Sequence, residues 1–152
     1  MNKIKSMFAR FFLVHLALAV ILTGALVSAR EAQRGYIYLS KGESRNSFTV
    51  NGQSHNFGFE VYLDDFILDW KSSHKDVSSS VLIRKNGKTL RSANLRVNSP
   101  FLSGGYMFYQ VGFDPQNLSR TTILVAKDPG APIVFFGFLL LNTGVFIMLA
   151  KK

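Results

Sequence analysis

The chain has 152 residues, 47% hydrophobic and 18% charged, a size that holds one modest domain plus membrane segments and excludes two large domains. It contains no cysteine, which removes disulfide stapling, cysteine zinc sites, iron–sulfur clusters and thiol redox chemistry. The net charge of +9 suits nucleic acid, an anionic membrane or topology signals, but Lys3, Lys5, Arg10, Lys151 and Lys152 stand at the two ends while every acidic residue lies between Glu31 and Asp128. That placement reads as flanking charge around membrane segments, with no nucleic-acid partner.

Residues 1–10 form a basic start. Phe11 to Ala29 then runs for 19 residues without a formal charge, and as a helix it would span about 28 Å at roughly 1.5 Å per residue, the thickness of a bilayer core. A transmembrane helix is expected over 11–29. The same start, with Val27-Ser28-Ala29 at its end, also fits a secretory signal, although the apolar run exceeds the usual signal core of about 7 to 15 residues. Cleavage there would discard His15.

Residues 30–130 are long enough for one independent domain, and their patterning predicts strands. Tyr36 to Leu39, Phe48 to Val50 and Phe57 to Trp70 are β-prone. Val81 to Lys85 and Thr89 to Val97 flank Asn86-Gly87, the dipeptide of a tight type I′ hairpin turn. Tyr106 to Phe113 and Thr121 to Ala126 bring the expected total to six or seven strands. Asp128-Pro129-Gly130 ends the domain, and the uncharged 131–150 predicts a second transmembrane helix, followed by the short tail 151–152. The basic flanks place both termini in the cytoplasm and the central domain outside it. The expected architecture is an antiparallel β-sandwich or open barrel between two transmembrane helices.

Enzyme signatures are scarce. Asp64 and Asp65 are adjacent, and neighbours on a strand point to opposite faces, so without a bulge they cannot form a carboxylate dyad. His55 and His74 sit in polar, loop-like sequence without the close pairing of a metal site and read as surface residues. Ser103-Gly104-Gly105 lacks the glycine pattern of a nucleophile elbow and reads as a turn. Asn86-Gly87-Lys88 precedes no glycine-rich helix start and is not a phosphate loop. A hydrolase is disfavoured, because no nucleophile has a base and an orienting residue at a recognisable spacing. Arg84, Lys85, Lys88, Arg91 and Arg96 decorate the hairpin; they read either as a solvated strand face or as a surface for anionic lipid or an acidic partner.

His15 differs from these because it lies inside an apolar span, about one turn from its cytoplasmic end, where an imidazole needs a partner. Haem iron, a proton relay and a hydrogen bond to a neighbouring helix all suit it, as does snorkelling to the headgroups near Arg10.

His15-Leu16, Leu22-Thr23-Gly24-Ala25, Arg34-Gly35-Tyr36 and Lys41-Gly42-Glu43 resemble, in order and spacing, the last pre-domain helix and first strand of ResB-type (CcsB-type) cytochrome c biogenesis proteins. Leu63-Asp64-Asp65-Phe66, Leu95-Arg96-Val97-Asn98-Ser99-Pro100, Gly105-Tyr106-Met107-Phe108-Tyr109-Gln110 and Asp128-Pro129-Gly130 continue the resemblance, which covers about residues 12 to 150. It implies a short-form part in System II cytochrome c maturation at the bacterial inner membrane. There, a CcsA/ResC-type partner and a ResB-type protein move haem outward for attachment to apocytochrome c. It further implies that His15, matching the family's intramembrane histidine, is an axial haem ligand, with haem shared between the two proteins. Longer members carry more helices upstream, and the tryptophan-rich haem-handling motif belongs to the partner; Trp70 is the sole tryptophan here. The expectation is a non-catalytic subunit of a synthase complex. The alternative is a membrane-tethered β-domain scaffold that recruits an envelope protein through the Arg84 to Arg96 hairpin.

Overall fold

The computed structural model describes residues 2–69 and 76–150; Trp70 and His74 fall outside them. The chain divides into two compact units, one of Met1–Ala32 with Asp128–Lys152, the other Gln33–Lys127.

The first unit is a pair of antiparallel helices, α1 (Asn2–Glu31) and α2 (Ala131–Leu149). Helix α1 is free of proline and continues through the basic start, so the uncharged run forms the C-terminal part of a longer helix. Helix α2 opens with proline in its first turn, where a missing N–H leaves nothing unpaired. Asp128 serves the amides ahead of it. Its carboxylate accepts from the backbone N–H groups of Gly130 and Ala131 at 3.0 and 3.1 Å, and from the Ser28 hydroxyl at 2.7 Å. Phe11–Glu31 and Ala131–Leu149 have mean hydropathies of 2.3 and 2.2, and both are long and apolar enough to cross a bilayer.

A seven-residue glycine period joins the pair. Gly144 lies against Leu13 and Val14, Gly137 against Ala17 and Ile21, and Gly130 against Gly24 and Ser28. A Cβ on Gly137 would sit 2.6 Å from Ile21 Cγ1 and 3.0 Å from the Ile21 amide nitrogen, so the close approach of the backbones requires glycine.

The second unit contains eight strands among the described residues: β1 (Gln33–Ser40), β2 (Ser44–Val50), β3 (Gln53–Asp69), β4 (Asp76–Lys85), β5 (Lys88–Arg96), β6 (Phe101–Ser103), β7 (Tyr106–Asp114) and β8 (Asn117–Lys127). They form two antiparallel four-stranded sheets, ordered β1-β8-β7-β6 and β2-β3-β4-β5. Alternation fixes the inner faces. On β1, Ile37 and Leu39 are buried while Tyr36 and Tyr38 are exposed. Leu39, Phe48, Val61, Leu63, Val81, Leu95, Phe108 and Val125 come from both sheets into one core, which makes the unit a sandwich.

An aromatic group fills one part of that core. The Phe48 and Phe57 rings stack at 5.4 Å, and Tyr106 meets Phe57 edge-on at 5.2 Å. Gly104, in the turn between β6 and β7, has φ of +58°, and a Cβ there would collide with the Phe59 ring, so conformation and packing both demand glycine.

The Asn86-Gly87 turn forms as its sequence indicates, with φ of +51° and +75°. Asn51-Gly52 makes a second such turn, between β2 and β3, at +50° and +82°. Strand β6 raises the number above the expected six or seven. It spans only three residues beside Pro100, too short for alternation to register.

Candidate functional site

His15 lies on α1 with its ring exposed. Its Nδ1 is 2.7 Å from the backbone oxygen of Phe11, one turn earlier. A carbonyl only accepts, so Nδ1 carries the hydrogen, and in the neutral ring Nε2 keeps its lone pair outward. This is the tautomer a metal-ligating imidazole needs, with the second nitrogen held by a backbone oxygen. The Phe11 ring packs alongside, its centroid 6.4 Å away. No hydrogen bond to Nε2 occurs among the described residues.

The direction of that lone pair follows from the helix. Ala17 is fully buried against α2, and His15 is two residues away, which at about 100° per residue turns it roughly 160° from the seam. The imidazole therefore faces away from α2. Exposed Phe11, Leu22 and Leu26 share that side of α1. Whatever meets Nε2 must come from a lipid headgroup, a cofactor or another chain. No cluster of three potential His, Cys, Asp or Glu metal ligands occurs among the described residues, and His15 by itself offers a single imidazole nitrogen.

Two of the five basic residues of the hairpin are engaged by neighbouring side chains or backbone. Arg84 lies over the Tyr62 ring, its guanidinium carbon 3.5 Å from the centroid. Arg91 donates to the Leu102 carbonyl at 3.1 Å and covers the Phe101 ring at 5.0 Å, tying β5 to β6 of the other sheet. Lys85 and Lys88 are paired across the turn, and Arg96 pairs with Ser78. That pairing is one of backbone register; the exposed side chains of Lys85, Lys88 and Arg96 make no hydrogen bond, ion pair or ring contact among the described residues.

The strand does bulge at the acidic pair, because the register shifts between Leu63 and Asp65. No dyad results. Asp65 turns to Lys41, 2.7 Å away, and accepts its ammonium hydrogen. That hydrogen bond, with one from the Phe66 amide, holds the Asp65 carboxyl below its ordinary range, and Asp65 in turn holds Lys41 above its own. A shared-proton dyad would instead raise one carboxyl.

His55 is half-buried, in register with Phe48 and tilted against its ring at 5.7 Å, so it is less a surface residue than its polar neighbours suggest. Ser103-Gly104-Gly105 forms the expected turn into β7, with positive φ at both glycines. A buried polar group had no sequence signal. The Ser79 hydroxyl on β4 donates to Gln110 Oε1 on β7 at 2.6 Å and lies 2.9 Å from Thr121 Oγ1 on β8, while Gln110 Nε2 donates to the Gly112 carbonyl at 2.8 Å. This cluster pins one sheet to the other. Each member satisfies groups that would cost about 1–3 kcal/mol left bare, and its role is structural.

No curated protein matches the chain. A solved structure named Cytochrome c Heme Lyase CcmF superposes with a TM-score of 0.60 at 14% identity, covering 93% of this chain and 24% of that one. At that identity the likeness is one of fold, and the chain spans about a quarter of that protein's length. The model of the ResB-like family matches residues 9–124, from just ahead of the His15 turn into β8; the chain belongs to the ResB-like family.

Proposed function

We propose that this chain is a membrane component of c-type cytochrome biogenesis, in which His15 supplies one axial nitrogen to haem handled jointly with a CcsA/ResC-type partner. The observation that carries the reading is the His15 geometry: Nδ1 is committed to the Phe11 carbonyl, Nε2 is free, and the ring faces away from α2. Membership of the ResB-like family supports it. So does the shared fold of a protein named as a cytochrome c heme lyase.

In this reading both termini are cytoplasmic and the β-sandwich stands outside the inner membrane, where it steadies the partner or the incoming apocytochrome c. Haem, when bound, would supply an iron to be held jointly by this chain and the partner. His15 would hold it from this chain and a side chain of the partner from the other. The chain's own contribution is to hold the imidazole in the binding tautomer at fixed depth, on a helix whose opposite face is locked against α2. The apocytochrome's cysteines form the thioether bonds, so this chain is a non-catalytic subunit. The scaffold alternative rests on the basic hairpin, but Arg84 and Arg91 are already held by Tyr62 and by Leu102 with Phe101.

The test is the visible spectrum of the detergent-solubilised complex, with the tryptophan-rich partner co-expressed. The parent should show a Soret band that His15→Gly loses and that added imidazole restores. An undiminished band in His15→Gly would move the ligand to the partner and leave this chain a scaffold.

A further inference from the structure

The outer face of α2 carries a pattern that neither the helix pairing nor His15 uses. Taking Gly137 as the centre of the seam with α1, Asn142 is five residues on, turned about 140° away at about 100° per residue. It is exposed in the second half of a helix whose other polar side chain, Thr143, is satisfied by the Leu139 carbonyl at 2.8 Å. One amide hydrogen goes back to the Phe138 carbonyl at 2.8 Å. No hydrogen bond to its other N–H or to Oδ1 occurs among the described residues. An open carboxamide in hydrocarbon is costly, and the cost is relieved by a hydrogen bond across a helix interface.

Its neighbours give it a setting. Phe135, Phe138, Asn142, Val145 and Leu149 follow alternating steps of three and four residues, the spacing of positions a and d in a heptad repeat, and the four apolar members are all exposed. Asn142 takes a central a position, the place where one asparagine sets register and oligomeric state in paired helices.

We infer that this face of α2 is the interface between two copies of this chain, paired through Asn142. Copies inserted in one membrane orientation run parallel, so each residue of α2 meets its equal at the same depth. A carboxamide is its own complement, since its N–H and C=O match those of a symmetry mate across a two-fold axis. Such a pair also closes, because α1 covers the opposite side of each α2. The two His15 rings then lie on the outermost faces, one on each α1, and cannot share a haem within the dimer. The second axial ligand must come from a different chain. The pairing depends on α2 crossing the membrane and not on haem ligation, so the two readings fail separately.

The absence of native cysteine allows a direct test in native membranes. Phe138→Cys and Val145→Cys should form disulfide-linked dimers of this chain on mild oxidation, and Phe136→Cys and Ile147→Cys, exposed on another side of the helix, should not. Adding Asn142→Ala to Phe138→Cys should reduce the dimer by about threefold to twentyfold, and Asn142→Gln should retain it, with alkaline extraction confirming insertion of every variant. Equal cross-linking at all four positions would overturn the proposal, as would a dimer indifferent to Asn142→Ala. So would an Asn142-dependent adduct to a different protein, which would assign the face to a foreign helix.

Discussion

Lys41 and Asp65 show how little an exposed ion pair needs to do to reveal itself. Their side chains remain largely accessible, so water and salt screen the attraction, and its part in stability is small. Its signature is in titration. Asp65 ionises more readily in the folded chain than in the unfolded one, so its contribution is present above the unfolded carboxylate pKa and lost as pH falls through the lowered folded value. Lys41 is shifted upward, so its contribution is present below the unfolded lysine pKa and lost as pH rises through the raised one. The pair is therefore constant through neutral pH and fails at both extremes. In Lys41→Met, an NMR-detected titration of Asp65 should move up toward the ordinary 3.8, though only part of the way, because the Phe66 amide still donates. An unmoved titration would assign the depression to the backbone alone.

At the scale of elements, the two units are held by different physics. The sandwich buries apolar side chains from both sheets, whereas the helices, whose surroundings would be as apolar as they are, gain from close packing of backbones. Gly137→Leu must push α1 away from α2, because even a Cβ at that position is 3.0 Å from the Ile21 backbone nitrogen. It should cost about 1–3 kcal/mol in reversible unfolding from mixed micelles, the range of an overpacked interior. Phe136→Leu, on an exposed side of α2, should stay within about 0.5 kcal/mol. Both helices were legible in the sequence because an uncharged run of about 20 residues is a signal of composition. The Asn86-Gly87 hairpin was legible because positive φ restricts the residues that form it. Asn51-Gly52 carries the same signal, but the polar sequence on its β3 side hides the flanking alternation. The bulge at Leu63 to Asp65 and the Ser79, Gln110 and Thr121 cluster were not legible, since both depend on which strands become neighbours. For His15, composition marked the residue as exceptional, but only the position of the seam shows that it faces away from α2.

For the molecule as a whole, the unresolved choice in the sequence was between a retained first helix and a cleaved signal. We propose retention, and the seam is the ground for it. Gly130, Gly137 and Gly144 each meet α1 at a distance only glycine permits or nearly so, and a chain cut after Ala29 would leave that side of α2 without its partner and would lack His15. In the proposed topology the basic residues at both termini would act together, since each cation near an anionic cytoplasmic leaflet is favoured by about 1 kcal/mol. Two crossings with both ends inside would, in that topology, place residues 30–130 outside, and the cysteine-free chain makes that location measurable. Ser119→Cys, at an exposed position of β8, should react with a membrane-impermeant maleimide in intact spheroplasts. Ser6→Cys should react only after permeabilisation, and the intact mass of the purified chain should include the residues before Ala29. The reverse labelling would invert the topology and remove the route by which the sandwich could meet an apocytochrome outside the membrane. A mass beginning at Arg30 would leave α2 as the sole span and exclude His15 from any role in the mature protein.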